Sequence, residues 1–478
     1  MSHYHQQSAY QRGDLSGHGL DWSRQPHPFK RYSNREPRPM ARPRWPAAGF
    51  FDLARGNAPR PPASVLDEAT VSSLLLMSAG ITALAKSADQ AMGLRAPASA
   101  GALYPAELYL VAEEVADLEP GVYHFSPDQP GLHPLWPGRL ARRAGQALGR
   151  EPSRLSFFIT AMYWRSVWKY RGRAYRYCLL DSGHMLANLE LALAAHGLAS
   201  ATVYNFVDSA ASALLGLAPR DEAALVGLAA GGAVENPEPD AGGLPPLDLA
   251  AQPLSSRVGV DQQVLEAHRA GILTRAEPNP AIPPARRPEN GVALPAPTGG
   301  PADLLEVVRR RRSRRNFIPA TLGLEDCSNL LAATLPGPSR LGVTVALKTP
   351  DLPAGPYRYL PGHHLLSAQP AGGGDPAHQV AAACLNQMWV GQAALLLLLS
   401  APVAHTAEVS GPRSYRHLML DAGAAGQRLY LAATALGLGC CGVGAFYDAE
   451  LAAAMGLPPG EAPLYLLACG PVKGGIGL

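Results

Sequence analysis

Apolar residues return along this chain with two different periods. Between Asp181 and His196 they recur at helical spacing (Met185, Leu186, Leu189, Leu191, Leu193), and Gly197 follows where a helix end favours a left-handed residue. A related stretch runs from about Asp421 to Leu436, ahead of Gly437. Leu108 to Ala112 alternates as a strand does, and Leu395 to Leu399 is a short continuous apolar run suited to a buried strand. Leu304, Leu305, Val307 and Val308 make a short amphipathic segment, and Asp261 to Ala270 is a helix-like island in Pro/Gly-rich surroundings. Helix and strand patterns together predict an α+β fold.

The two helical stretches are versions of one sequence. Tyr175–Leu198 and Tyr415–Leu438 align without a gap at an offset of 240, with 11 identities in 24 positions, among them Tyr175/Tyr415, Asp181/Asp421 and Gly197/Gly437. Downstream, Phe206 and Asp208 match Phe446 and Asp448; upstream, Gly121–Phe125 echoes Gly355–Tyr359. A period of half the chain predicts two copies of one domain, not a solenoid.

Composition sets limits on partners. With 47% hydrophobic and 17% charged residues the 478-residue chain can bury a large core. Its 49 glycines and 46 prolines follow no Gly-X-Y period, which excludes collagen and puts the excess in loops and linkers. A net charge of +3 is too balanced for nucleic-acid binding by the whole chain. The six cysteines form no C-x-x-C pair and the histidines no metal spacing, so no metal is expected. Met1 to Arg12 lacks an apolar signal core, and Ala393 to Ala404, broken by Ser400 and Pro402, falls short of the ~18 residues of a membrane span. The expectation is a cytoplasmic protein without membrane contact.

Four segments could carry chemistry. Arg309 to Phe317 holds six arginines and Ser313; guanidinium forks bind phosphate bidentately, though a run of this kind is more often a solvated basic face, or a nucleic-acid or targeting stretch. Ser99-Ala100-Gly101-Ala102-Leu103-Tyr104-Pro105 is a run of mostly small residues that lets a ligand approach the backbone. Lys169-Tyr170 lies in an aromatic-cationic stretch; such a pair is an acid/base couple when burial favours the neutral amine, or else a surface ladder. Gly437 to Phe446 carries four glycines. No G-x-S-x-G, P-loop or dinucleotide fingerprint is present.

In combination these pieces resemble the SagB-type dehydrogenase branch of the nitroreductase-fold flavoenzymes, in a fused two-copy form. The matching residues are Tyr4–Ser8, Ser99–Pro105 with Glu107, Gly121–Phe125, Lys169-Tyr170 with Arg173–Tyr177, and Arg311–Phe317. The resemblance implies two tandem nitroreductase-like domains forming an intrachain pseudo-dimer, with higher oligomers left open. It divides the chain into an N-terminal extension (1–59), domain 1 (60–235), a Pro/Gly-rich linker (236–300) and domain 2 (301–478). It implies FMN, held through its phosphate by Arg311, Ser313 and Arg315, with Ser99, Ala100, Gly101, Ala102 and Leu103 supplied by the other copy. Gly442, Val443, Gly444 and Ala445 are then expected along the flavin ring, where their N–H groups can donate, and Lys473 near the ring or phosphate. Lys169 and Tyr170 would be the catalytic pair.

The copies have lost complementary parts. Around Asp52 to Arg60 copy 1 has no clamp; copy 2 reads Val409-Ser410 in place of Lys169-Tyr170 and Pro338 to Thr344 in place of the glycine loop. One flavin site per chain is the expectation. The activity implied is FMN-dependent oxidation of thiazoline or oxazoline rings in a modified peptide to azoles, with a peptide substrate and a cyclodehydratase-type partner. The alternatives are a flavin-dependent dehydrogenase or reductase acting on another small or carrier-bound substrate, and a flavin-free peptide-binding scaffold.

Overall fold

The computed structural model describes residues 1–13, 19–33, 36–56, 61–86, 91–238, 244, 251–259, 261–282, 290–370 and 375–474. Parts of the expected linker and residues 57–60 of the Asp52–Arg60 segment lie outside them. The chain divides into two compact units: Gly19–Ala47 with Pro59–Pro280, which contains the first copy, and Ala281–Leu478 with Met1–His18 and Ala48–Ala58, which contains the second.

The first unit is built on β1 (Arg38–Pro39), a β2–β3 hairpin (Ile81–Lys86, Ala91–Arg95), β4 (Ala106–Ala112), β5 (Gly121–Ser126), β6 (Gly131–Pro137), β7 (Ser153–Met162), β8 (Ser200–Val203) and β9 (Glu222–Ala233). Apart from the hairpin these form one sheet in the order β1-β6-β5-β4-β7-β9-β8, antiparallel throughout. The second unit has β10 (Val292–Ala293), β11 (Gly342–Leu347), β12 (Pro356–Leu360), β13 (Leu365–Ala368), β14 (Leu395–Ala401), β15 (Gly439–Val443) and β16 (Ala462–Gly470). Their order, β10-β13-β12-β11-β14-β16-β15, repeats the first. Two copies of one α+β domain are present.

Each sheet is covered on both faces. Every residue of β4 and of β14 is buried, so the alternation read at Leu108–Ala112 marks a strand without marking a wet face. One side packs helices over cores such as Tyr109, Phe158 and Phe206 in the first unit and Leu396, Leu398 and Phe446 in the second. A buried network, Lys30 Nζ to Glu222 Oε2 (2.6 Å) and Tyr109 Oη (2.6 Å), with Thr160 Oγ1 donating to Glu222 Oε1 (2.5 Å), ties the first sheet's central strands together. The ammonium compensates the buried carboxylate, which would otherwise be costly.

The long helices begin seven residues ahead of the stretches read from sequence, at Ala174–Ala195 and Ser414–Ala435. Tyr175, Cys178 and Leu179 are buried and continue the packed surface. The helices are buried nearly all round, so their amphipathic signal is weak at the start. Both end in the same six-to-one closure, Leu198 N to Leu193 O (2.9 Å) and Leu438 N to Ala433 O (2.7 Å), with Gly197 at φ +68° and Gly437 at φ +71°. A methyl at Gly197 would meet the Pro61 carbonyl oxygen at 2.3 Å, whereas one at Gly437 would meet nothing within 4 Å. Gly437→Ala is therefore expected to cost about 1 kcal/mol of stability. Gly197→Ala should cost distinctly more, an order that urea unfolding of the two variants checks.

The repeat extends into the segments ahead of each copy. In the first unit the helix Gln262–Arg269 places His268 Nδ1 3.3 Å from Tyr175 Oη, and Leu273 exchanges backbone contacts with Asp208 (Leu273 N to Oδ2, 2.8 Å). In the second unit the helix Ser2–Gln7 places His5 Nδ1 3.1 Å from Tyr415 Oη, and Tyr10 N reaches Asp448 Oδ2 at 3.1 Å. Tyr175/Tyr415 and Asp208/Asp448 are repeat partners, so Met1–Arg12 and the helical island of the linker are two versions of one docking arm.

Candidate functional site

In the first unit the chain leaves β3 and makes a tight loop before β4. Ser99 Oγ donates to Asp181 Oδ2 (2.5 Å), Ala100 N to Asp181 Oδ1 (3.2 Å), and Ser99 Oγ accepts from Tyr104 N (2.8 Å). Gly101, Ala102 and Tyr104 all have positive φ, at +64°, +54° and +47°. Two non-glycine residues in that region carry strain that the surroundings must enforce. Tyr104 is held at both ends: its Oη accepts from Arg95 N (3.1 Å) and its carbonyl from Arg165 Nη1 (2.8 Å). Leu103 is buried beneath the turn.

Lys169 and Tyr170 end the helix Tyr163–Tyr170, which stops because Arg171 turns to φ +48°. The Tyr170 ring packs on Tyr177 with centroids 4.2 Å apart, and Lys169 Nζ lies 5.5 Å from the Tyr170 ring centre. Both side chains are half-buried. The glycine turn sits directly on them: a methyl at Gly101 would fall 2.8 Å from Tyr170 Oη and 3.0 Å from Lys169 Nζ. Arg165, one helical turn before Lys169, is fully buried and paired with Glu107. Burial works to raise the Glu107 carboxyl, but Arg165, the His124 hydrogen bond and Arg95 hold it below the usual carboxylate range.

In the second unit the helix Leu304–Arg310, capped by Asp303, releases an extended strand of basic residues along β15. Arg314 N donates to Cys440 O (2.9 Å), and Asn316 and Lys473 exchange hydrogen bonds (2.8 and 3.0 Å). Arg311, 3% exposed, has its guanidinium 5.5 Å from the Tyr430 ring centre. Tyr430 Oη contacts Ser313 Oγ (3.0 Å) and accepts from Gly442 N (2.7 Å). Arg315 lies 5.9 Å from the Trp389 ring centre, and its charge works against the burial that raises the Cys441 thiol above its ordinary range. A methyl at Gly442 would collide with Tyr465 Oη at 1.8 Å. Val443 is buried in β15, Gly444 and Ala445 follow it, and the Lys473 side chain is exposed.

The sequence-predicted residues thus assemble as two clusters, one per unit: Ser99–Leu103 with Lys169 and Tyr170, and Arg311, Ser313, Arg315 with Gly442–Ala445 and the Lys473 backbone. The N–H of Gly442, expected along a flavin, donates to Tyr430 instead. Asp52–Arg60, read as the first copy's degraded clamp, is in its described part the helix Phe50–Arg55, packed within the second unit on Leu324–Thr334 and Ser414–Ala435. Sequence reading missed Tyr430, Trp389 and Asp181. Tyr430 stands between Leu429 and Leu431 and reads as core; Asp181 had a visible signal, an acid kept in both copies of a mostly apolar helix.

Two guanidiniums, a hydroxyl and a side-chain-free strand position suit a phosphate-bearing planar cofactor. Among the described residues no helix is long and apolar enough to cross a membrane, and no group of acidic, histidine or cysteine side chains could hold a metal ion.

Comparison with known proteins decides the family. The model of the nitroreductase family matches residues 64–232 and 308–471, one segment in each copy. The chain belongs to the nitroreductase family. A nitroreductase-like protein of Methanocaldococcus jannaschii is 32% identical over 189 residues, 35% of this chain and 90% of its own length. The trifolitoxin-processing protein TfxB of Rhizobium leguminosarum bv. trifolii is 31% identical over 140 residues, 27% of this chain and 38% of that protein. Among solved structures, a nitroreductase-like protein of Anabaena variabilis matches over 99% of both chains at 26% identity and a TM-score of 0.79. The fold is that of an oxidoreductase family, doubled in one chain.

Proposed function

We propose that this protein is an FMN-dependent dehydrogenase of the SagB type, which oxidises thiazoline or oxazoline rings of a modified peptide to azoles. The observation that carries the reading is the glycine turn lying on Lys169 Nζ and Tyr170 Oη, a strained loop fitted to a proton-transferring pair. The likeness to TfxB, a protein named for processing a peptide toxin, supports a peptide substrate and a biosynthetic partner such as a cyclodehydratase.

Bound FMN would supply the two-electron acceptor that ring oxidation requires. The chain's own tasks are separate from it. Arg311, Ser313 and Arg315 would bind the phosphate. Ser99 to Leu103 would shape the surface on which the ring to be oxidised rests and keep water from it. Lys169 Nζ or Tyr170 Oη would take up the ring proton, so that each product ring has lost two hydrogens. Holding the reacting C–H in place is the larger part of such catalysis.

The test is mass spectrometry of a synthetic thiazoline-containing peptide incubated with the yellow protein. A loss of two hydrogens per ring is expected; a folded, flavin-loaded protein that leaves every azoline peptide unchanged while turning over nitroaromatics would favour the small-molecule reductase instead.

A further inference from the structure

We propose that Asp181 is the positioning residue of the Lys169–Tyr170 pair: its carboxylate fixes the Ser99–Ala100 segment and thereby presses the Gly101 turn onto the two side chains. The proposal rests on the reading of Lys169 and Tyr170 as the proton-transferring pair.

Asp181 lies one-third of the way along Ala174–Ala195 and is 5% exposed. A buried carboxylate needs compensation, and here it comes from the loop: Ser99 Oγ at 2.5 Å and the Ala100 N–H at 3.2 Å. Burial pushes the carboxyl up to about 7, and these two donors are what work against burial. From that anchor the chain passes through the positive-φ residues Gly101 and Ala102, which bring Gly101 within methyl-contact distance of Lys169 Nζ and Tyr170 Oη. Ser99 also accepts from Tyr104 N, so one acid, through one hydroxyl, sets both ends of the turn.

The second copy holds the same acid and uses it differently. Asp421 is the repeat partner of Asp181, and the segment just ahead of β11 offers it Arg340. Arg340 Nη1 binds Asp421 Oδ2 at 3.1 Å, while Ser339 Oγ accepts from Leu341 N (3.0 Å). In that copy Val409-Ser410 stands in place of the Lys-Tyr pair. Within one chain, then, the acid grips the loop backbone where the pair is present. It grips an arginine where the pair is gone. Preserving an acid in the helix interior is common to both copies; in the first it holds the hydroxyl of Ser99 and the N–H of Ala100.

The experiment reads the position of Lys169 directly. The chain has five lysines (Lys30, Lys86, Lys169, Lys348, Lys473), so brief acetic anhydride treatment of the holoprotein followed by peptide mass spectrometry gives each amine its own rate. Asp181→Ala should speed Lys169 labelling at least threefold relative to Lys348, and lower kcat on the azoline peptide 10- to 100-fold with KM nearly unchanged. Asp181→Asn, which can still accept one loop donor, should restore most of both. Ser99→Ala, a change in a partly exposed loop, should shift Lys169 labelling in the same direction should Asp181→Ala fold poorly.

Unchanged Lys169 labelling in folded Asp181→Ala and Ser99→Ala would overturn the proposal, even with kcat reduced, because the acid would then act elsewhere. If labelling shifts as expected but Lys169→Ala keeps full turnover, the positioning stands and the catalytic reading of the pair fails.

Discussion

Lys169→Ala is expected to lower turnover roughly 10²–10⁴-fold, the range of a general acid/base group, while the protein keeps its flavin and its melting temperature. The side chain is half-buried at the end of Tyr163–Tyr170 and contributes little to the core, so truncation should not unfold the unit. Its amine meets the backbone of the Gly101 turn, and its neighbour Tyr170 is braced by Tyr177. Tyr170→Phe separates the two roles. A small loss means the hydroxyl orients the lysine or substrate, and a loss as large as that of Lys169→Ala means the phenol itself takes the proton. Single-turnover flavin reduction by the peptide, followed at the flavin absorbance band, isolates the step from product release. Full activity of both variants would put this pair on an ordinary surface.

The doubling of the domain was readable because eleven identical positions survive in and just after the two long helices, where both copies keep an acid at Asp181/Asp421 and a left-handed glycine at Gly197/Gly437. The strands were readable from apolar runs, yet their burial on both faces was not, since a covered sheet erases the alternation that would mark a wet side. The docking arms escaped notice for a different reason. Met1–Arg12 and the linker helix share little more than a histidine and an arginine. What makes them equivalent is the tyrosine and aspartate they meet, at His5/Tyr415 and His268/Tyr175, and such partners are hundreds of residues away in sequence. The candidate site shows the same divide. Charged and glycine-rich segments announce themselves by composition, whereas Tyr430, which joins Ser313 to Gly442, is recognisable only once β15 and the basic strand lie side by side.

That junction sets the expectation for cofactor loss. Replacing Arg311 and Arg315 together by alanine should yield a folded protein that purifies largely colourless. Each charge-assisted contact to a phosphate is worth roughly 1.5–3 kcal/mol, so the pair should cost about 10²–10⁴-fold in flavin affinity. The two arginines are not equivalent. Arg315 is exposed against Trp389, and its removal alone subtracts a contact. Arg311 is buried over Tyr430, so its removal also frees the ring that holds Ser313 and Gly442, and the single Arg311→Ala variant should lose more flavin than Arg315→Ala. Arg311→Lys should not rescue, because an ammonium neither stacks on Tyr430 nor offers a two-pronged edge to phosphate. The absorbance ratio of flavin to protein after gel filtration measures the stoichiometry, and circular dichroism checks the fold. One FMN per wild-type chain is expected, since the clamp survives in one copy alone. Two FMN per chain, or unchanged colour in the double variant, would remove these arginines from the site.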